Sequence, residues 1–242
     1  TSSFEGEMNI ELLIEFMSNR HHQLVPEFLD VIRETRRTLE VVIGIDASAS
    51  TSLLIGHEPG SRTVACADDR IGSDNEFRDD RIMDVEKAFA IIFGRALSLV
   101  TDRVAVYAFN SVTSTNVYRA ETIDAVSSFV SDAQNRDGDF IRYIRSRLER
   151  SDADEKYFFL VSDGRPNSDN YQGREALDDT LIAIRETVNA GIKLIYFNID
   201  INRGDYFELF QQEATYAEYF TSPEQILPII PELVKSVLAS IG

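Results

Sequence analysis

The sequence predicts an α/β fold: a doubly wound, mostly parallel central sheet with one antiparallel edge strand and helices on both faces. Three observations predict it. Short, β-branched, nearly uninterrupted apolar runs recur along the chain, as expected of strands buried on both faces. Segments with apolar residues at helical spacing separate them. One further short strand follows its predecessor too closely for a helical crossover, so it pairs antiparallel at the sheet edge.

Taken in order, residues 7–17 carry Met8, Leu12, Ile14 and Phe16, and residues 25–38 carry Val25, Phe28, Leu29 and Ile32. Both patterns are helical, and His21 and His22 join them as a solvated helix-end turn, with no third ligand at zinc-like spacing. His57 stands alone. Residues 39–45 form the first buried strand. Residues 53–80 are rich in Gly, Ser, Asp and Arg without a sustained period and read as a surface insertion or a small surface hairpin over 63–65. Ile82, Val85, Phe89, Ile92, Phe93 and Ala96 share one helical face. Strands follow at 103–109 and 157–161, with the antiparallel edge strand at 115–118. A helix carrying Leu177, Leu181, Ile184 and Val188 leads to strands at 192–197 and 216–220. Ser222 and Pro223 read as the N-cap and first position of a last helix bearing Ile226, Ile230, Leu233 and Val237. The one boundary falls near Arg37, so residues 1–38 are expected to be an N-terminal helical segment or connector and 39–242 one domain.

The 242 residues are 43% hydrophobic, enough for one large core. Against 24 Lys and Arg stand 41 Asp and Glu, a net charge of −17, which argues against nucleic acid and anionic membrane surfaces as partners. The single cysteine, Cys66, makes no internal disulfide and reads as an inert thiol, which favours a reducing, cytoplasmic location. The longest apolar runs, such as 88–100 with Arg95 inside it, fall short of a bilayer span. Thr1 is followed by acidic, helical sequence with no basic region before an apolar stretch, so the chain reads as a trimmed piece of a longer protein.

In an open α/β sheet, ligands bind beyond the carboxyl ends of the strands. The loop after the first strand reads Asp46-Ala47-Ser48-Ala49-Ser50, a carboxylate and two hydroxyls at alternate positions. In an extended segment these oxygens face one way and suit one hard cation. The loop after the 157–161 strand adds Ser162-Asp163-Gly164, a second carboxylate at the same end of the sheet. Each motif alone is compatible with a helix cap or a turn. Together, closing two strands, they predict a metal site.

This constellation resembles the metal-ion-dependent adhesion site of von Willebrand factor A (VWA) domains. The resemblance runs from about Leu39 to the C-terminus and is narrower than the superfamily. Asp84-Val85-Glu86-Lys87-Ala88, the run from Asp102 to Phe109, Arg136-Asp137-Gly138 with Ile141-Arg142, Ser162-Asp163-Gly164-Arg165-Pro166, and Asp169-x-Tyr171-x-Gly173 leading to Asp178-Asp179-Thr180 are similar to the C-terminal VWA domain of NorD-type nitric oxide reductase activation proteins and CbbO-type Rubisco activation proteins. The resemblance implies that Ser48 and Ser50 ligate Mg²⁺ (with Mn²⁺ or Ca²⁺ as alternatives), and that Asp46 and Asp163 bind it directly or through water. The family's second-loop threonine is missing: Asn135 stands there, so its amide oxygen, the carboxylate of Asp137, or a water fills that vertex. An open vertex would accept a carboxylate from another protein. The acidic surface would repel acidic partners elsewhere. Tyr171 and Arg174 are expected beside the ion as partner-binding residues. The alternative for this segment is structural: a turn at Asp169-Asn170, Tyr171 packed over the loop, and Asp178-Asp179 in the first turn of a helix.

No phosphate-binding G-x-x-x-x-G-K-[ST] loop, dinucleotide fingerprint or G-x-S-x-G elbow is present, which favours a binding module over an enzyme. The resemblance implies an adaptor that works with a separate MoxR-type AAA+ ATPase and grips a client metalloenzyme, of nitric oxide reductase or Rubisco type, through a client Asp or Glu. The alternative is a Mg²⁺-dependent phosphotransfer enzyme of haloacid-dehalogenase type with Asp46 as nucleophile. That chemistry wants a second carboxylate two residues on, where this chain has Ser48. A third class, an extracellular adhesion domain, fits poorly with the lone cysteine and the D-x-Y-x-G segment.

Overall fold

A computed structural model describes residues 37–53, 81–199, 205–221 and 225–241. The helices expected within residues 7–36, the three histidines, Cys66, the insertion from 54 to 80 and the Ser222-Pro223 cap lie outside the described residues. Six strands form one sheet: β1 (Leu39–Asp46), β2 (Val104–Ser111), β3 (Thr115–Arg119), β4 (Glu155–Ser162), β5 (Lys193–Ile199) and β6 (Tyr216–Phe220). Their spatial order is β3-β2-β1-β4-β5-β6. Every pair is parallel except β2 with β3, which is the expected antiparallel edge. Among the described residues, five α-helices flank the sheet: α1 (Ile82–Ser98), α2 (Asp137–Glu149), α3 (Gly173–Asn189), α4 (Asp205–Glu213) and α5 (Ile230–Ala239).

Strand alternation divides the core in two. Val41, Ile43 and Ile45 of β1 pack with Phe89 and Phe93 of α1 and Val234 and Val237 of α5. Val42, on the opposite face, joins Phe140, Ile141 and Ile144 of α2, Ile184 of α3 and Phe210 of α4. Burial on both sides explains why the strands lack polar interruption. Gly44 lets α2 approach: a Cβ there would lie 2.5 Å from Phe140 Cε1 and 3.1 Å from Phe158 Cε2. Phe140 in turn stacks on Phe109, with centroids 4.1 Å apart.

From β1 the chain winds outward through β2 and β3, then returns to β4 on the other side of β1 and continues outward. The order therefore reverses between β1 and β4, and the crevice of the fold lies beyond their carboxyl ends.

Two helical boundaries differ from the sequence expectation. Thr38 is not helical; its N–H and hydroxyl both donate to Asp154 Oδ2, at 2.9 and 2.8 Å, which ties the chain to the start of β4. The last α-helix begins at Ile230, after a 3₁₀ turn at Leu227–Ile229. Pro231 has no N–H to donate and its ring would collide with the carbonyl four residues back, so it fits only in the first turn. No helix among the described residues is long and apolar enough to cross a membrane.

Gly44→Ala is expected to destabilise the chain by about 1–3 kcal/mol, because Phe140 is locked between Phe109 and Phe158 and cannot retreat freely. Urea unfolding of the variant beside the wild type checks this; superimposable curves would contradict the packing.

Candidate metal centre

β1 delivers Asp46, fully buried, to the crevice. Its Oδ1 accepts the Ser48 N–H at 2.7 Å, which bends the chain immediately after the strand. Ser48 itself is extended (φ −72°, ψ 161°), but residues Ala49–Ser52 form a 3₁₀ turn. The convergence of Ser48 and Ser50, whose Oγ atoms lie 3.0 Å apart, therefore comes from a turn and not from the extended segment that the alternate spacing suggests.

β4 delivers the second carboxylate. Ser162 Oγ donates to Asp46 Oδ2 at 3.1 Å and accepts the Gly164 N–H at 3.0 Å, so the two strand ends are stitched together. Gly164 has φ +72°, and a Cβ there would meet Asn198 Nδ2 at 2.2 Å and Tyr196 Oη at 2.8 Å. Only glycine makes this turn without strain. Asp163, buried beside it, accepts the Arg165 N–H at 3.0 Å.

The third loop is anchored from both sides. Ser111 and Gln134 exchange backbone hydrogen bonds of 2.7 and 2.9 Å, and Ala49 N–H donates to Ala133 O at 2.9 Å. This sets Asn135 against the acids: its Nδ2 donates to Asp46 Oδ2 at 2.8 Å and to Asp137 Oδ1 at 3.1 Å. Its Oδ1 accepts the Asn167 N–H at 2.9 Å. That last bond fixes the amide's orientation, so Asn135 turns its nitrogen, not its oxygen, toward the carboxylates. Asp137 opens α2, where the helix N-terminus favours negative charge, yet its buried Oδ2 has no hydrogen-bond partner.

Sequence reasoning gave no role to Glu86. It sits on α1 with no solvent exposure, and neither carboxylate oxygen has a partner. The signal was available: Glu86 lies four residues after Ile82 and three before Phe89, on the apolar stripe itself.

The electrostatics follow from burial. Asp46 is pushed up to about 7, first by loss of water and then by the charge of Asp163, with the Ser48 N–H pulling the other way. Asp137 and Glu86 are driven well above the ordinary carboxylate range, again by burial first and then by neighbouring carboxylates. Among the described residues, the donors to Asp46 and Asp137 are neutral: the Ser48 N–H, the Ser162 hydroxyl and the Asn135 amide.

Among the described residues, Tyr171 and Arg174 hydrogen-bond to none of the acids at this cluster. Tyr171 is 4% exposed. Its hydroxyl donates to Asp179 Oδ2 at 2.7 Å, and the Arg136 guanidinium lies 4.5 Å from its ring centroid. Burial pushes the phenol upward and keeps it a donor. Burial would also raise Asp179, but hydrogen bonds from Arg142 and Tyr171 outweigh that and hold it below its usual range. Gly138 lets this pair close on α2, since a Cβ would stand 2.1 Å from Asp179 Oδ2. Arg174 is exposed and pairs with Asp178 at 3.5 Å. Because α3 begins at Gly173, Asp178 and Asp179 fall in its second turn, not the first. The turn at Asp169-Asn170 is as the structural alternative describes, with Asn170 at φ 59° and Ser168 bridged to Tyr171.

Among the described residues, no three His, Cys, Asp or Glu side chains are arranged to chelate an ion by themselves. A cation here would have to draw on the serine hydroxyls as well. The donor set fits a hard divalent ion: every candidate atom is oxygen, and Asp137 Oδ2 is buried and unsatisfied.

The signs of the shifts give a pH test. A carboxyl whose folded-state pKa is raised supports folding below its ordinary value, about 4, and that support is lost as pH climbs toward the folded-state value. For Asp46 the loss ends near pH 7. Asp137→Asn keeps the Oδ1 acceptor for Asn135 and removes the buried charge. In chelator at pH 8 it is expected to be more stable than wild type by roughly 1–3 kcal/mol, with the gap narrowing at pH 5. Urea midpoints at the two pH values check this, and a gap that is absent or widens toward acid would contradict it.

No model of a known protein family matches the chain. It is similar to Protein NorD of Stutzerimonas stutzeri, 29% identical over 174 residues that cover 65% of this chain and 28% of that protein. It is similar to Protein NorD of Brucella abortus, 24% identical over 203 residues, 78% of this chain and 32% of that one. The matched part is thus about a third of the length of these relatives. Among solved structures, the vWF domain of the type V pili tip protein Mfa5 from Porphyromonas gingivalis superimposes with a TM-score of 0.57 at 10% identity, covering 85% of this chain and 97% of that domain. With the sheet order and the flanking helices, this likeness makes the fold VWA-like.

Proposed function

We propose that this chain is a non-catalytic protein-binding module whose contact point is a divalent cation, Mg²⁺ with Mn²⁺ or Ca²⁺ as substitutes, held where β1 and β4 end. The observation that carries the proposal is the burial of Asp46, Asp137 and Asp163 beside two convergent serine hydroxyls, with Asp137 Oδ2 left without any protein partner. In this reading Ser48 and Ser50 ligate directly, and Asp46 and Asp163 do so directly or through water. Asp137 takes the vertex left by the missing threonine. Asn135 bridges Asp46 and Asp137 from its nitrogen side and keeps the two carboxylates adjacent. When bound, the cation supplies a positive contact for an oxygen ligand of another protein, for which an Asp or Glu is the natural donor. The chain's own net charge of −17 disfavours approach of an acidic partner anywhere else.

The similarity to NorD proteins supports an adaptor role in activating another enzyme, and the VWA-like fold supports protein binding. In the fuller form of the proposal, a MoxR-type AAA+ ATPase supplies the energy and the module presents a client metalloenzyme of nitric oxide reductase or Rubisco type, in the cytoplasm. Ser48 in place of a second carboxylate, with its hydroxyl engaged by Ser50, disfavours phosphotransfer by Asp46.

Isothermal titration with Mn²⁺ and Mg²⁺ tests the site without any partner. The wild-type chain is expected to bind one equivalent and to melt at a higher temperature when loaded, and the Ser48→Ala/Ser50→Ala variant is expected to lose both effects. Partner capture is expected to require Mg²⁺ and to fail in Asp46→Ala. Equal capture in the presence of chelator would remove the adhesive role.

A further inference from the structure

We propose that Glu86 belongs to the coordination sphere of the cation site, reaching it, directly or through one water, from the face of the sheet opposite Asp137. The inference rests on the cation reading above and adds a residue that the serine-and-aspartate pattern does not contain.

Its geometry starts at the first loop. Leu53 N–H donates to Ser50 O, closing the 3₁₀ turn, and Ile82 N–H then donates to Leu53 O, both at 3.1 Å. The first turn of α1 is thereby fastened to the turn that carries Ser48 and Ser50. Glu86 lies one helical turn further on, on the same stripe as Ile82 and Phe89, which both pack into the core. The side chain is therefore directed inward, while the adjacent Lys87 turns out to the carbonyl of Ser127.

A carboxylate with no solvent exposure and no donor at either oxygen is an expensive thing for a fold to keep. Among the described residues, no hydroxyl, amide, lysine or arginine satisfies it. Burial raises its carboxyl and the charges of Asp46, Asp163 and Asp137 raise it further, which agrees with a position on the helix fastened to the Ser48–Ser50 turn. A cation there turns this liability into a use: Asp137 closes on it from α2, Glu86 from α1, and the ion sits between the two helical layers.

The test is Glu86→Gln, read by Mn²⁺ titration and by melting in chelator, with Ser48→Ala/Ser50→Ala as the control that abolishes the site. The variant is expected to bind Mn²⁺ at least about tenfold more weakly than wild type and, without metal, to melt at a higher temperature, since a repelled charge is gone. A purely structural role would not move the metal affinity. Wild-type affinity in Glu86→Gln, with binding lost in the serine variant, would overturn the role of Glu86 and leave the site standing. No Mn²⁺ binding by the wild-type chain would overturn both. Glu86→Asp, which keeps the charge and withdraws it by one methylene, gives the same reading if the glutamine variant does not fold: weaker binding supports the proposal and unchanged binding overturns it.

Discussion

Mutual repulsion among carboxylates shut away from water is the constraint around which the carboxyl end of this sheet is built. Asp46 and Asp163 meet because β1 and β4 are neighbours and the strand order reverses between them. Asp137 and Glu86 are buried on helices that pack on opposite faces of the sheet, and the charges of the aspartates add to the effect of burial on Glu86. Around Asp46, the hydrogen-bond partners among the described residues are neutral donors, an amide and a hydroxyl on Oδ2 and a backbone N–H on Oδ1. Neutral donors orient a carboxylate but do not cancel its charge. The negative potential that remains on these buried side chains is the physical basis on which a cation is proposed there.

The surrounding wiring makes sense as support for that arrangement. Asn135 is held by Asn167, and the backbone of those two residues pairs reciprocally at 3.1 and 3.2 Å, which fastens the third loop to the segment after β4. Tyr171, Asp179 and Arg142 form a chain that clamps the same segment onto α2, with Arg142 reaching Asp179 Oδ1 at 2.6 Å. The D-x-Y-x-G and D-D-T residues thus act one layer behind the acids. Gly138 serves the same end, since a side chain there would push Asp179 and Tyr171 away, while Gly164 leaves room for Asn198 and Tyr196 beside the β4 turn.

Much of this was legible in the sequence. Strands buried on both faces announce themselves by unbroken apolar runs, and the spacing of Asp46, Ser48 and Ser50, followed at a second strand end by Asp163, marks the crevice. Other features were not legible for definable reasons. The apolar residues of α2 and α4 are few and interspersed with charge or amide, which lowers their overall hydropathy and hides these helices even though Phe140, Ile141, Ile144 and Leu148 fall at helical spacing. Asn135 was locatable by position, but which end of its amide meets the acids depends on Asn167, far along the chain. Glu86 was obscured by expectation, because a glutamate in a helix normally faces water. Its place between Ile82 and Phe89 was the clue. Tyr171 was read as a contact for partners, and burial against Asp179 is a tertiary outcome that no local pattern encodes.

The most direct measurement of the central claim is anomalous diffraction from crystals of this chain grown with Mn²⁺. The account predicts one strong anomalous peak within bonding distance of Ser48 Oγ and Ser50 Oγ, bordered by Asp46, Asp137 and Asp163. An absence of anomalous density in the crevice, with those serine and aspartate side chains turned away from one another, would contradict it.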